Sequence, residues 1–126
     1  MSSRLVIPRL AIAAAVATAS LLTAVPAQAD GMPTYTCDQA QQRGTNEDPK
    51  KAVGQVNCVA SNGAPVPEKP GPYVPTEVGI NSDFKIVGRD GHTFRCTLKQ
   101  GMNTWGTAFW DHDSGIWVVG WQCDPD

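Results

Sequence analysis

The 126-residue chain is short of most features that announce a function. It has no excess of basic residues, since ten Lys and Arg stand against twelve Asp and Glu for a formal net charge of −2. With that balance and no basic stripe it has no grip on phosphate backbones, and nucleic acid is not an expected partner. No two cysteines stand close enough for a C-x-x-C knuckle, and the two histidines do not repeat at ligand spacing, which argues against zinc. No G-x-S-x-G elbow surrounds a serine. Beyond the first 29 residues no apolar run is long enough to span a bilayer, and no basic amphipathic helix is present to lie on one. Neither a cofactor nor a metal is expected.

The one long apolar run is at the start. Arg4 and Arg9 precede residues 10–25, which carry no charge, and Ala27-Gln28-Ala29 follows directly. That order is the pattern of a secretory signal peptide, with cleavage after Ala29 and no cysteine placed for lipid attachment. Residues 1–29 are therefore read as a leader and residues 30–126 as a single β-rich domain of 97 residues. The leader takes two arginines and no acids with it, leaving eight basic residues against twelve acidic ones and a net charge of −4. The expected location is extracellular, or periplasmic where the source has an outer membrane, with no membrane contact after cleavage.

All four cysteines, Cys37, Cys58, Cys96 and Cys123, lie beyond the leader. An even count in an oxidising compartment reads as two disulfides, and three pairings are open. The sequential one, Cys37 with Cys58 and Cys96 with Cys123, is expected because each pair flanks a segment able to fold back on itself. Each bridge is worth about 3 kcal/mol by loop-closure entropy, a large share of the stability of so small a core.

Residues 30–51 are polar, with a short strand suggested at Thr34–Cys37 and room for a helical turn in the CDQAQQR that starts at Cys37. The segment 52–60, AVGQVNCVA, has the β-branched content of a strand and ends in the turn Ser61-Asn62-Gly63. Prolines at 65, 67, 70, 72 and 75 then fix φ and remove backbone donors, so neither a helix nor a central strand passes through residues 64–77. This stretch reads first as a connector. Its second reading is a stiff recognition segment with Pro70 and Tyr73 as contacts.

The last third holds all four tryptophans, and its turns come at even spacing. Strands are predicted over Phe84–Gly88, 92–98, 104–110 and 116–123, separated by Asp90-Gly91, by residues 100–103 and by residues 111–115. The expected fold is all-β: a small disulfide-stabilised antiparallel barrel or two-sheet sandwich with a C-terminal four-stranded meander. Setting Trp110 opposite Ile116 places Phe109 opposite Trp117, Thr107 opposite Val119 and Trp105 opposite Trp121, an aromatic face that Cys123 shares by parity. The other face carries Gly106, Ala108, Trp110, Ile116, Val118 and Gly120, and it is apolar too. Either protein covers it, or it is a binding platform on which Trp110, Gly106, Val118 and Gly120 meet a partner.

Candidate chemistry concentrates in Asp111-His112-Asp113-Ser114-Gly115. Calcium fits poorly, because the distal acidic positions of a calcium loop are missing, and turn geometry alone favours these residue types. His112 or His92 with Asp111 or Asp113, and Ser114 or Ser82 as nucleophile, form the catalytic alternative. The leading expectation is non-enzymatic: a small secreted inhibitor or antagonist that binds another extracellular protein. The runner-up is a glycan- or cell-wall-binding module using Trp105, Trp110, Trp117 or Trp121, and the third reading is a small enzyme or toxin built on His112 and Asp113.

Overall fold

Prolines, turn glycines and single residues in left-handed backbone cut the chain into short strands. The computed structural model describes residues 31–72 and 76–126; the leader expected over residues 1–29 and Tyr73 of the connector lie outside them. Ten strands result: β1 (Thr34–Cys37), β2 (Gln39–Gln42), β3 (Ala52–Gln55), β4 (Val59–Ser61), β5 (Glu77–Ile80), β6 (Phe84–Gly88), β7 (Thr93–Thr97), β8 (Gly106–Asp111), β9 (Gly115–Gly120) and β10 (Gln122–Pro125). They form two five-stranded sheets. The first has the order β10-β7-β6-β1-β4 and the second β2-β3-β9-β8-β5. Each sheet keeps two edges, so the architecture is the sandwich and not the barrel.

Several strands follow the sequence reading closely, and others depart from it for identifiable reasons. The helical turn considered after Cys37 is instead β2, because Gln39–Gln42 gains a full ladder against β3. The single strand expected over 52–60 breaks in two where Val56 and Asn57 take positive φ of 72° and 53°. Backbone hydrogen bonds hold that bend from both sides, Asp38 N–H to Val56 O at 2.9 Å and Asn57 N–H to Ser114 O at 2.7 Å. Among the described residues all pairings are antiparallel except one, since β1 runs parallel to β6. The four C-terminal strands are two hairpins, β6 with β7 in the first sheet and β8 with β9 in the second, and no continuous meander. A bend at Trp121 then returns the chain to the first sheet, where β10 pairs with β7.

Both disulfides are sequential, Cys37 with Cys58 and Cys96 with Cys123, and all four cysteines are buried. Two such bonds fit an oxidising, extracellular environment. The first sheet contributes the bulk of the core: both bridges, Tyr35, Phe84 and Ile86, with the Tyr35 and Phe84 rings edge to face at 5.8 Å. The second sheet answers with glycine. A Cβ on Gly54 would lie 2.5 Å from Cys37 Sγ, one on Gly106 2.8 Å from the Phe84 ring, and one on Gly120 2.4 Å from Cys123 Sγ and 2.5 Å from Cys96 Sγ. These are contact distances no side chain tolerates, so three adjacent strands, β3, β8 and β9, stay bare where the first sheet is thick.

The proline-rich connector carries the chain from β4, an edge of the first sheet, to β5, an edge of the second. It is tied to both sheets at its N-terminal end. The Tyr35 hydroxyl donates to Pro65 O at 2.6 Å and the Trp110 indole to Pro67 O at 3.0 Å, while Ala64 and Pro67 are buried. Burial pushes the Tyr35 phenol well above its ordinary pKa, so it remains a donor.

Candidate functional site

The register of the β8–β9 hairpin agrees with the parity reading, with Trp110 opposite Ile116, Phe109 opposite Trp117 and Thr107 opposite Val119. Protein covers the glycine-rich face, and the aromatic face is the one turned outward. Ala108 and Val118 are fully buried and Gly106 and Gly120 lie against the first sheet, whereas Phe109, Trp117 and Val119 are half exposed on the outside. Cys123 does not share the aromatic face, because the bend at Trp121 resets the alternation and puts the Cys96–Cys123 bridge under Gly120. Gly106, Val118 and Gly120 are thus core and present no outward platform. Trp110 is half exposed at the end of the inner face, beneath the connector, held there by its bond to Pro67.

The outer face of the second sheet is where aromatic surface meets solvent. Strand registers place two rows across it, Gln39, Gln55, Trp117, Phe109 and Glu77 in one, and Gln41, Val53, Val119, Thr107 and Gly79 in the other. At about 4.8 Å between strands each row spans about 19 Å. The Phe109 and Trp117 rings sit side by side, with centroids 6.3 Å apart and planes inclined by 35°. Beyond the ends of the rows Lys51 Nζ lies 5.8 Å above the Trp121 ring. One flank is amide-rich. With its amide oriented to satisfy both neighbours, Gln55 donates to Gln39 Oε1 at 3.3 Å and accepts from Arg43 at 2.7 Å.

Trp117 owes its orientation to the β8–β9 turn. Its indole N–H donates to Ser114 Oγ at 2.7 Å, and the Ser114 hydroxyl donates to the Asp111 carboxylate. Asp111 Oδ2 also accepts from the Ser114 N–H at 3.1 Å and the Asp113 N–H at 3.3 Å. The Ser114 hydroxyl chiefly, then the two backbone donors and the nearby charge of His112, hold the Asp111 carboxyl below its usual range against some desolvation. The turn is itself anchored to the Val56-Asn57 bend, since a Cβ on Gly115 would come within 3.0 Å of Asn57 Oδ1. Asp111 and Ser114, candidates for chemistry by residue type, are engaged in building this turn.

The remaining sequence candidates are dispersed. His112 and Asp113 are exposed at the turn tip, and His112 makes no hydrogen bond among the described residues. His92 stands in the β6–β7 turn with Nδ1 3.4 Å from Asp90 Oδ2. Desolvation acts on Asp90, but hydrogen bonds from the His92 and Ala40 N–H groups and from the His92 ring outweigh it and hold that carboxyl low. Ser82 donates only to the carbonyl of Asp83. Trp105 packs against the core and its indole donates to Asp83 at 2.7 Å, which removes it from the aromatic row. Pro70 is half buried in the connector. Among the described residues no group of three or more His, Cys, Asp or Glu is arranged to hold a metal ion.

Gln39, Gln55 and Arg43 are members of this face that the sequence reading did not single out. The signal was present in the glycines: Gly54, Gly106 and Gly120 share one side of three neighbouring strands, and close approach belongs to the covered side. No protein-family model, no curated protein and no solved structure matches this chain.

Proposed function

We propose that this chain is a small secreted binding protein without enzymatic activity, and that it takes a cell-wall or other extracellular polysaccharide on the outer face of the second sheet. The observation that carries the reading is the Trp117–Phe109 pair, half exposed, with the Trp117 indole locked by Ser114 and Asp111. A ring fixed before binding loses little entropy on contact and offers a flat apolar surface to the C–H face of a sugar ring. Beside them Gln39 and Arg43, both exposed, supply polar groups for sugar hydroxyls, held in place by the buried Gln55 amide. Secretion rests on the leader pattern of residues 1–29 and agrees with two disulfides.

The test is retention on insoluble chitin, cellulose and peptidoglycan. Wild-type protein is expected to be retained on at least one, and Trp117→Ala to weaken that retention about tenfold or more, the scale of a lost aromatic anchor. Retention on none of them, or equal retention of the variant with an unchanged Tm, overturns the reading.

An antagonist of another secreted protein is the second reading, and one observation favours it. The loop between β7 and β8 leaves Leu98 and Met102 39% and 38% exposed. It is pinned at Lys99 by the Asp48 carboxylate and, at 2.9 Å, by Glu47 O. Capture of one extracellular protein by wild type but not by Leu98→Asp with Met102→Asp would select this reading over the polysaccharide.

A further inference from the structure

The aromatic row bears on the physical form in which a polysaccharide can be held. The Trp117 and Phe109 planes are inclined by 35° with centroids 6.3 Å apart, so no single plane lies flat on both rings. Trp117 is not free to turn into line, because its indole N–H is bound to Ser114 Oγ at 2.7 Å.

The strands beneath add to this inclination. Neighbouring strands of a sheet are rotated by about 20 to 25° about the axis that joins them. The row from Gln39 to Glu77 crosses all five strands of the second sheet. Outward directions at its two ends therefore differ by on the order of 80°. A row that twists so far meets a flat crystalline face over a small part of its length, whereas a single chain, free to turn about its glycosidic bonds, follows it.

Polar groups on the row favour the same form. Gln39 and Arg43 are exposed at one end and Glu77 at the other. The Arg43 guanidinium donates to the Gln41 and Gln55 amide oxygens, which fixes it and leaves part of its donor fork open. In a crystalline polysaccharide the hydroxyl groups along the chain edges are already bonded to neighbouring chains. A solitary chain offers them to such flanking groups.

Resting on the polysaccharide reading above, we propose that this face takes one separate glycan chain, laid across the strands over about four sugar rings in the row of about 19 Å. The ordered surface of a crystalline polymer is not its ligand.

The experiment is a competition. Protein with disulfides intact is bound to whichever of insoluble chitin, cellulose and peptidoglycan retains it, and the matching soluble chain is added: chitohexaose, cellohexaose or sonication-solubilised peptidoglycan. The soluble chain is expected to release the protein. Calorimetric affinity should rise about tenfold or more from the disaccharide to the tetrasaccharide and level beyond it, and Phe109→Ala should lose about fivefold or more for the tetrasaccharide. Retention that soluble chains do not reverse, a disaccharide bound as tightly as the tetrasaccharide, or wild-type affinity in Phe109→Ala overturns the single-chain proposal and leaves the polysaccharide reading standing. Retention on none of the three polymers overturns both.

Discussion

The two faces of the β8–β9 hairpin invert a common intuition about size and burial. The inner face is built from Gly106, Ala108, Val118 and Gly120, and the outer one from Phe109, Trp117 and Val119. Large side chains are outside and small ones inside because the bulk of the core comes from the opposite sheet, in the form of two disulfides, Phe84, Ile86 and Tyr35. A side chain is buried by what faces it. The inner face is thus set by exclusion, since any atom added there collides, and the outer face is set by orientation, since Trp117 is steered by the turn beneath it.

The strongest way to break that contrast is Gly120→Val. Its Cβ would fall 2.4 and 2.5 Å from the two sulfurs of the Cys96–Cys123 bridge, and overpacking of that kind is expected to cost about 3 kcal/mol or more. Thermal unfolding should show a fall in Tm of more than about 10 °C. An unchanged Tm would mean that the two sheets are not in the close contact described.

Trp117→Ala, although it removes the larger side chain, is expected to cost only about 1 kcal/mol. A half-exposed ring has less area to lose than the buried aromatics whose truncation costs about 3 to 5 kcal/mol. A loss as large as that of Gly120→Val would show that the outer face is core as well. Trp110→Phe sharpens the inner side. It keeps a ring under the connector but removes the donor to Pro67 O, for an expected loss of about 1 kcal/mol and faster proteolysis within residues 64–72.

The smallest effect concerns pH. The Asp111 carboxyl is held below its ordinary value, so what it contributes to the turn is fully present above the unfolded pKa of about 3.9 and is lost as pH falls through the lower folded value. The Trp117 indole proton signal should therefore stay constant from neutral pH to about 4 and move only below it. Movement between pH 5 and 7 would assign control of the ring to a group other than Asp111.

Much of this fold was legible because its determinants are local. Asp90-Gly91 and residues 111–115 are turns by residue type, prolines 65 to 75 exclude a central strand, and four well-separated cysteines favoured the sequential pairing now seen. The Phe109 to Trp117 register followed from counting across one hairpin. What was illegible is set by distant partners. Gln39–Gln42 has no strand signature and becomes β2 only by pairing with β3. The split at Val56 depends on hydrogen bonds from Asp38 and to Ser114. Which side of the hairpin faces inward was decided by Phe84 and the two bridges, groups on other strands. The aromatic face was therefore visible as a set of residues, and its exposure was not.

The parallel pairing of β1 with β6 has a consequence for the order of events in folding. Thr34 pairs with Lys85, 51 positions along the chain, at the centre of the first sheet. Hairpins such as β6–β7 and β8–β9 close short loops and form on the microsecond scale, whereas this ladder must close a loop of about 50 residues. Strand β1 is thus expected to be among the last of the first sheet to find its place. Pulse-labelled hydrogen exchange during refolding should show the amides that join β1 to β6 gaining protection after those within the β8–β9 hairpin.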